Sequence, residues 1–378
     1  VADAEADILR RIERRLGVTG IADLLAERLP PADLQSLLMA VSRRRAGRTR
    51  PVDLLDRYER DRFVHPSTRD PAVLLALEQR AHQHLPAGYE VLALSPVCPL
   101  GTAAAITTVD QNSVLATTRG TEVVSDPTNV LALEQRAHQH LPAGYEVLAL
   151  SPVCPLGTAA AITTVDQNSV LATTRGTEVV SDPTNVLALE CALRRRALLA
   201  SDRGSSERVR LAASHRTLRA QVWDDPRFSQ HFALLGMCTA GRDEGGFQFE
   251  SETLAEHLRF YVRLLRGLGD TRVNPRTLRI DVTPIGPGRE DMLARTVIEP
   301  LAAEFPVATV VLDHERDRAL EYYRDVCVQI SIDTPAGEHL ELVDGGFTDW
   351  TQQLLGNRKE RLLTTGIGLE LLSGALSP

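Results

Sequence analysis

Residues 75–130 and 131–186 are one segment written twice in tandem, identical at every position. Nothing else in the chain constrains its folding as strongly, because two identical segments cannot both fill one place in a single core. Repeat architectures carry diverged units and need about three of them to bury a continuous core. Complete identity in two copies points to a recent event, an engineered duplication or a sequence error, not a solenoid. The flanks suggest its origin. Asp70-Pro71-Ala72-Val73-Leu74-Leu75-Ala76-Leu77-Glu78 and Asp182-Pro183-Thr184-Asn185-Val186-Leu187-Ala188-Leu189-Glu190 are alike, and mispairing between them inserts one cassette in frame. The second copy flows straight into the helical pattern at Leu187. Residues 131–186 are thus expected in the native position, with 75–130 looped out, swapped to a neighbour or added at a sheet edge. The reverse assignment stays open.

Discounting one copy leaves about 320 residues, which suits one large domain with a smaller extension. The expected division is an N-terminal helical region, 1–70, and a domain spanning 71–378 that contains both copies. A hydrophobic fraction of 43% can bury a sizeable core. No apolar run reaches the roughly 18–20 residues that cross a bilayer, and no signal-peptide pattern opens the sequence. A cytoplasmic protein without membrane contact is therefore expected. The net charge of −8 argues against a dedicated nucleic-acid binder. The basic run from Arg43 to Arg50 reads as a solvated helix end, because Lys359 is the sole lysine and nearly every cation is an arginine. That lysine, set in Asn357-Arg358-Lys359-Glu360, also excludes a G-x-x-x-x-G-K-[ST] phosphate loop and argues against Schiff-base chemistry. Of five cysteines, Cys98 and Cys154 are one position counted twice, and none forms a C-x-x-C pair. This reads as a reduced protein without structural metal. His82 and His84, repeated as His138 and His140, stand two apart in a helical pattern and point to different sides, which disfavours a metal site.

Ile8, Ile12 and Leu16 recur at helical spacing, followed by Leu24, Leu25 and Leu29. Pro30-Pro31 opens a helix through Leu34, Leu37, Leu38 and Val41, and a short one begins at Val52. In the cassette, Asp70-Pro71 supplies an N-cap and a first-turn proline for a helix through Leu74, Leu77 and Ala81. Three strand-like runs follow, Tyr89–Val97, Ala103–Val109 and Ser113–Thr118. Downstream, strands are expected at Glu207–Leu218, Phe228–Cys238, Thr277–Val282, Ala308–Leu312 and Leu362–Thr365, with a hairpin of Arg324–Ile332 and His339–Val343. Helices are expected at Glu252–Leu268, Asp291–Phe305 and Thr348–Leu355. Sequential strands with helices laid against them point to an α/β (α+β) fold, a mostly antiparallel mixed sheet flanked by helices.

Two features of the C-terminal third carry chemistry. One is Arg318-Ala319-Leu320-Glu321-Tyr322-Tyr323. The other is Asp344-Gly345-Gly346-Phe347-Thr348-Asp349, followed by Gly366-Ile367-Gly368-Leu369-Glu370-Leu371. Paired glycines at a strand end let a ligand approach the backbone, and Gly-x-Gly at a strand-to-helix junction offers N–H groups to an anion. Tight turns are the bland alternative for each.

In this order, the segments resemble the catalytic domain of histidyl-tRNA synthetase and its paralogue, the regulatory subunit of ATP phosphoribosyltransferase. That class II synthetase family carries R-G-L-D-Y-Y, then G-G-R-Y-D, then G-x-G-x-E-R. Gly88-Tyr89 with Ser95-Pro96 is similar to its dimer-building first motif. Thr117 to Thr121 is similar to its L-R-P-E-G-T segment, and Arg216 to Gly236 to its second motif. The resemblance covers roughly 71–378 and implies a class II synthetase-like fold, a homodimer, and a site for a small ligand. ATP enters as a cofactor candidate by the same route, and no anticodon-binding domain is expected. The implied ligand-binding residues are Arg175, Thr177, Arg216, Arg318, Glu321, Tyr322, Tyr323, Gly345, Gly346, Asp349, Gly366 and Gly368.

Three departures bear on activity. Leu371 stands where the family's phosphate-binding arginine follows Glu370. Arg216-Thr217-Leu218 lacks the carboxylate of R-x-E. Arg119 and Arg175 replace the glutamate that would accept an ammonium group, reversing the charge of that subsite. The leading expectation is a catalytically degenerate protein that binds a small ligand and regulates a partner enzyme. An active ligase or transferase using Arg216 and Arg175 on an altered substrate, and a purely structural interaction protein, remain as alternatives.

Overall fold

The computed structural model describes residues 2–61, 64–66, 96–99, 115–118, 121–123, 140–163, 169–174, 176–219, 231–266, 277–333, 337–369 and 371–372. The first cassette's expected helix and its Ala103–Val109 run lie outside these, as do Arg119, Arg175, Glu370, His82, His84 and His138. The chain opens with α1 (Ala2–Leu16), α2 (Ile21–Asp23), α3 (Pro31–Ala46) and α4 (Pro51–Arg60). Proline occupies the first turns of α3 and α4, where its missing N–H costs nothing. Arg43, Arg44 and Arg45 form the exposed last turn of α3, where cations favour the helix dipole. Ile8, Ile12, Leu16, Leu37, Leu38 and Val41 stay exposed on α1 and α3. By contrast, α4 belongs to the packed body: Leu54, Leu55 and Tyr58 are buried, and Tyr58 Oη donates to Glu190 at 3.2 Å.

Both cassette copies contribute short elements. The first gives the hairpin β1 (Val97–Pro99) and β2 (Thr121–Val123). The second gives β3 (Glu146–Val147), β4 (Val153–Pro155), α5 (Thr158–Ile162) and β5 (Thr177–Val179). The hairpins share a register, Val97 opposite Val123 and Val153 opposite Val179. The copies also touch each other, with Thr117 bridging Thr173 in antiparallel fashion. The first four residues of the run expected as a strand at Ala103–Val109 correspond in the second copy to Ala159–Ile162, which are helical in α5. Three consecutive alanines favour helix intrinsically. Buried Glu178 then fixes the helix start, accepting from Gly157 N and Ala159 N at 2.8 Å each. Gly157 has φ of 90°, and a Cβ there would stand 3.3 Å from Ala46, so glycine is required by both conformation and packing.

The main sheet has eight strands in the order β3-β6-β7-β12-β11-β10-β8-β9. Its remaining members are β6 (Val209–Leu218), β7 (His231–Arg242), β8 (Thr277–Pro284), β9 (Ala308–Leu312), β10 (Arg324–Asp333), β11 (His339–Thr348) and β12 (Glu360–Gly368). β3 runs parallel to β6 and β9 parallel to β8, while every interior pairing is antiparallel. The expected mixed, mostly antiparallel sheet is therefore present. Alternation sends Leu235, Met237 and Leu363 to one face and Cys238, Ala240 and Leu362 to the other. The first face is covered by α7 (Gln248–Arg266), then by α8 (Glu290–Leu293) and α9 (Glu299–Glu304), joined through a π turn at Ala294–Ile298. Phe249, Phe260 and Tyr261 of α7 are fully buried there; burial of a side chain this size stabilises by roughly 2–3 kcal/mol. The second face carries α6 (Pro183–Ser201), α10 (Trp350–Leu355) and α4. Arg195 of α6 and Glu360 of β12 form a fully buried, two-pronged ion pair at 2.8 and 3.1 Å.

Candidate functional site

α6 begins where the sequence places an N-cap. The Asp182 carboxylate accepts from Thr184 N at 2.9 Å, and Pro183 fills the first turn. The helix covers β6 and β7, and past its N-terminus the same sheet face lies open over β12, β11 and β10. Between β9 and β10, residues 313–323 turn over that opening. A cavity of about 650 Å³ results, within the usual range for small-molecule sites.

Three guanidinium–carboxylate pairs ring it. Arg219, at the end of β6, donates to Asp182 Oδ2 at 3.3 Å and lies over the Phe232 ring. Arg316 donates to Asp344 Oδ1 at 2.9 Å, and its Nε donates to Arg318 O at 3.0 Å. Arg318 reaches both Glu341 oxygens, at 2.9 and 3.1 Å. Arg316 is the most enclosed of the three arginines, its side chain 8% exposed and stacked over Tyr323. Burial works against its charge, but Asp344 outweighs that and holds its pKa above the ordinary value. Burial pushes the Tyr322 and Tyr323 phenols well up, so both are neutral donors, and Tyr323 Oη donates to Asp344 Oδ2 at 3.2 Å. A side chamber of about 240 Å³ adjoins the cavity beside Asp182, bounded also by Ser181 and Asn185. Asn185 is 3% exposed, and its Oδ1 has no hydrogen bond among the described residues.

Thr365 in the cavity floor continues into a buried network behind it. Its Oγ1 accepts from Tyr261 Oη at 2.9 Å and meets His257 Nδ1 at 2.8 Å. His257 Nε2 in turn lies 2.6 Å from the Tyr145 hydroxyl of the second cassette. Burial pushes the His257 imidazole down to about 3, so it is neutral.

The implied site residues divide. Arg318, Tyr322, Tyr323, Gly345, Gly366 and Gly368 bound the cavity. Arg216 is buried behind it, with Nη1 3.0 Å from His231 Nδ1, and it is His231 that faces the cavity. Asp349 accepts from Arg324 and Gln353, and Glu321 is exposed with its carbonyl accepting from Arg324. Thr177 is buried in β5, its hydroxyl 2.7 Å from that of Thr173. Gly346 lies off the cavity for a packing reason: a Cβ there would sit 2.6 Å from Tyr323 and 2.8 Å from Val326 O. Gly345 does both jobs, since it bounds the cavity and a Cβ there would meet Thr364 O at 2.5 Å. Arg316 and Glu341 lie outside the motifs, while Asp344, Arg219 and His231 fall within the quoted stretches but were not among the implied ligand-binding residues. Their charge is common in this chain, and only the fold gathers them. Asp182 was legible, but only as a helix cap.

The arrangement can engage a small polar group through paired charges, on the open face of the mixed sheet. Similar solved structures include apo histidyl-tRNA synthetase from S. aureus, with TM-score 0.47 and 13% identity over 67% of this chain and 68% of that one. An ATP phosphoribosyltransferase regulatory subunit/histidyl-tRNA synthetase from Bacillus halodurans C is similar at TM-score 0.45 and 15% identity, over 66% and 79%. PylSc, a pyrrolysyl tRNA synthetase from Desulfitobacterium hafniense, is similar at 0.41 and 13%, over 65% and 68%. No family model and no curated protein matches the chain. The likeness is one of fold. Among the described residues, no helix is long and apolar enough to cross a membrane, and no cluster of side chains could hold a metal ion.

Proposed function

We propose that this chain is a catalytically degenerate synthetase-like protein that binds a small zwitterionic ligand, of amino-acid size, and uses that binding to regulate a partner enzyme. The observation that carries the reading is the ring of three guanidinium–carboxylate pairs around one cavity. Such pairs can re-pair with a ligand bearing both charges, its carboxylate on Arg316 and Arg318 and its ammonium on Asp182 and Asp344. Asn185 Oδ1 adds an acceptor on the ammonium side. Adenylate formation needs cations on the phosphates of ATP. Leu371 instead gives the cavity an apolar wall at the position where the resemblance expects an arginine, and Arg216 is spent on His231. Ligand binding without turnover becomes useful when the liganded and free forms differ in affinity for a second protein.

Isothermal titration with histidine, other amino acids, ATP and small dicarboxylates tests the reading. An amino acid is expected to bind, and Arg316→Met to weaken it at least tenfold. Absence of heat with every compound defeats the ligand assignment. ATP–pyrophosphate exchange with any amino acid defeats the degenerate assignment and restores an active ligase.

A further inference from the structure

The two cassette copies pair with each other through the same residues. Thr118 N donates to Ala172 O at 2.9 Å, and Thr174 N donates to Ala116 O at 2.9 Å. Ala116, Thr117 and Thr118 are the first-copy counterparts of Ala172, Thr173 and Thr174. The contact therefore maps onto itself when the copies are exchanged, the defining property of an isologous two-fold interface. Each copy presents the same local structure to it: Val123 N donates to Leu115 O and Val179 N to Leu171 O, both at 2.9 Å. Six extended segments result, running from β1 through β2 and Leu115–Thr117 to Leu171–Thr173, β5 and β4. Val97 and Val123 of the first copy pack against buried Leu171, Val179 and Leu218. The first copy thus covers both a strand edge and an apolar patch that the second would otherwise expose.

From this geometry we infer that the first cassette stands in for a second subunit. Leu171–Thr174 is a homotypic two-fold surface whose natural occupant is the same segment of another chain. In the tandem chain that surface is filled from within, and the protein is a monomer. Among the described residues, the first copy supplies no strand to the main sheet and no part of α6; it packs against that body through Val97, Leu115 and Val123. The inference does not depend on what the cavity binds.

Disulfide trapping tests it. Thr117 and Thr173 form the non-hydrogen-bonded type of antiparallel pair, with Cα atoms about 4.5 Å apart, a separation a disulfide can span. Cys154, Cys191, Cys238 and Cys327 are buried, and the full-length trapping variant carries Cys98→Ser to remove the fifth native cysteine. The full-length Thr117→Cys/Thr173→Cys variant is expected to oxidise within one chain, and light scattering to give the mass of one chain. Deleting 75–130 joins Leu74 to Leu131 and restores an unbroken reading of the same sequence. That shortened chain is expected to double its mass, and Thr173→Cys within it to crosslink chain to chain. A full-length protein that dimerises or crosslinks between chains overturns the inference. So does a folded shortened chain that remains monomeric and uncrosslinked. If the shortened chain does not fold, the full-length arm decides alone.

Discussion

Replacing Glu360 by glutamine should cost this protein a large share of its stability. Arg195 and Glu360 are both fully excluded from solvent, with Nε 2.8 Å from Oε2 and Nη2 3.1 Å from Oε1. Nη1 donates to Glu207 O and Nη2 also to Ser205 O, so every guanidinium nitrogen of Arg195 is engaged. Glu360→Gln preserves shape but leaves a guanidinium buried without a counter-ion. Breaking one side of such a pair costs about 3–5 kcal/mol, against roughly 0–1 for an exposed pair. Replacing both partners together, as Arg195→Met/Glu360→Leu, removes the stranded charge but leaves two carbonyls without donors at about 1–3 kcal/mol each. The double variant should therefore lie well above the sum of the single losses, with a coupling of about 2 kcal/mol or more. Urea unfolding of the parent, Arg195→Met, Glu360→Leu and Arg195→Met/Glu360→Leu gives the coupling, and Glu360→Gln against the parent gives the single loss, each followed by circular dichroism and compared at constant m-value. A Glu360→Gln protein within 1 kcal/mol of the parent, or strictly additive losses, would refute the reasoning.

Two further outcomes follow from the packing and the buried imidazole. Gly346→Ala should destabilise by about 2–3 kcal/mol, because its Cβ would collide with Tyr323, Val326 O and the Cys327 backbone at 2.6–2.9 Å. Gly366→Ala meets nothing nearer than 3.6 Å, so its melting temperature should stay put while ligand affinity drops at the cavity wall; equal melting losses for the two would contradict the packing assignment. Stability should also fall as pH drops below about 6.5. Buried His257 has its pKa pushed down to about 3, and His215 to about 4, so between those values and 6.5 the unfolded chain binds more protons than the folded one. Each group contributes at most about 1.4 kcal/mol per pH unit. Urea midpoints at pH 7, 6 and 5 should decline, and His257→Gln should flatten the slope; a midpoint constant over that span argues that neither ring has its pKa lowered by folding.

The strands downstream of Glu207 were readable because the central ones are buried by two different cores, one on each face of the sheet. Leu235, Met237, Cys238 and Ala240 are all buried, on opposite faces, and so appear in the sequence as one apolar run. The cassette was harder to read. Its alanine run looks equally apolar as strand or helix, and the deciding contact is Glu178, which lies far along the segment. The glycine pair at 345–346 was visible as a constraint, but its main cause, the backbone of β12 and β10 close on either side, depends on strand order. Arg318 was legible through its motif, but Arg219 and Arg316 were not, for a compositional reason: in a chain with a single lysine, an arginine by itself does not stand out until a fold sets it beside a carboxylate.

The pairing between Thr117 and Thr173 has an arithmetic consequence. A two-fold contact between identical segments saturates at two. Recombination between identical stretches of a gene can remove a cassette or add one, so copy number is the quantity such a locus varies. Chains with an even number of copies can satisfy every Ala-Thr-Thr edge internally. Chains with an odd number always leave one unsatisfied. Parity, rather than length, would then govern whether members of such a series live alone or in pairs.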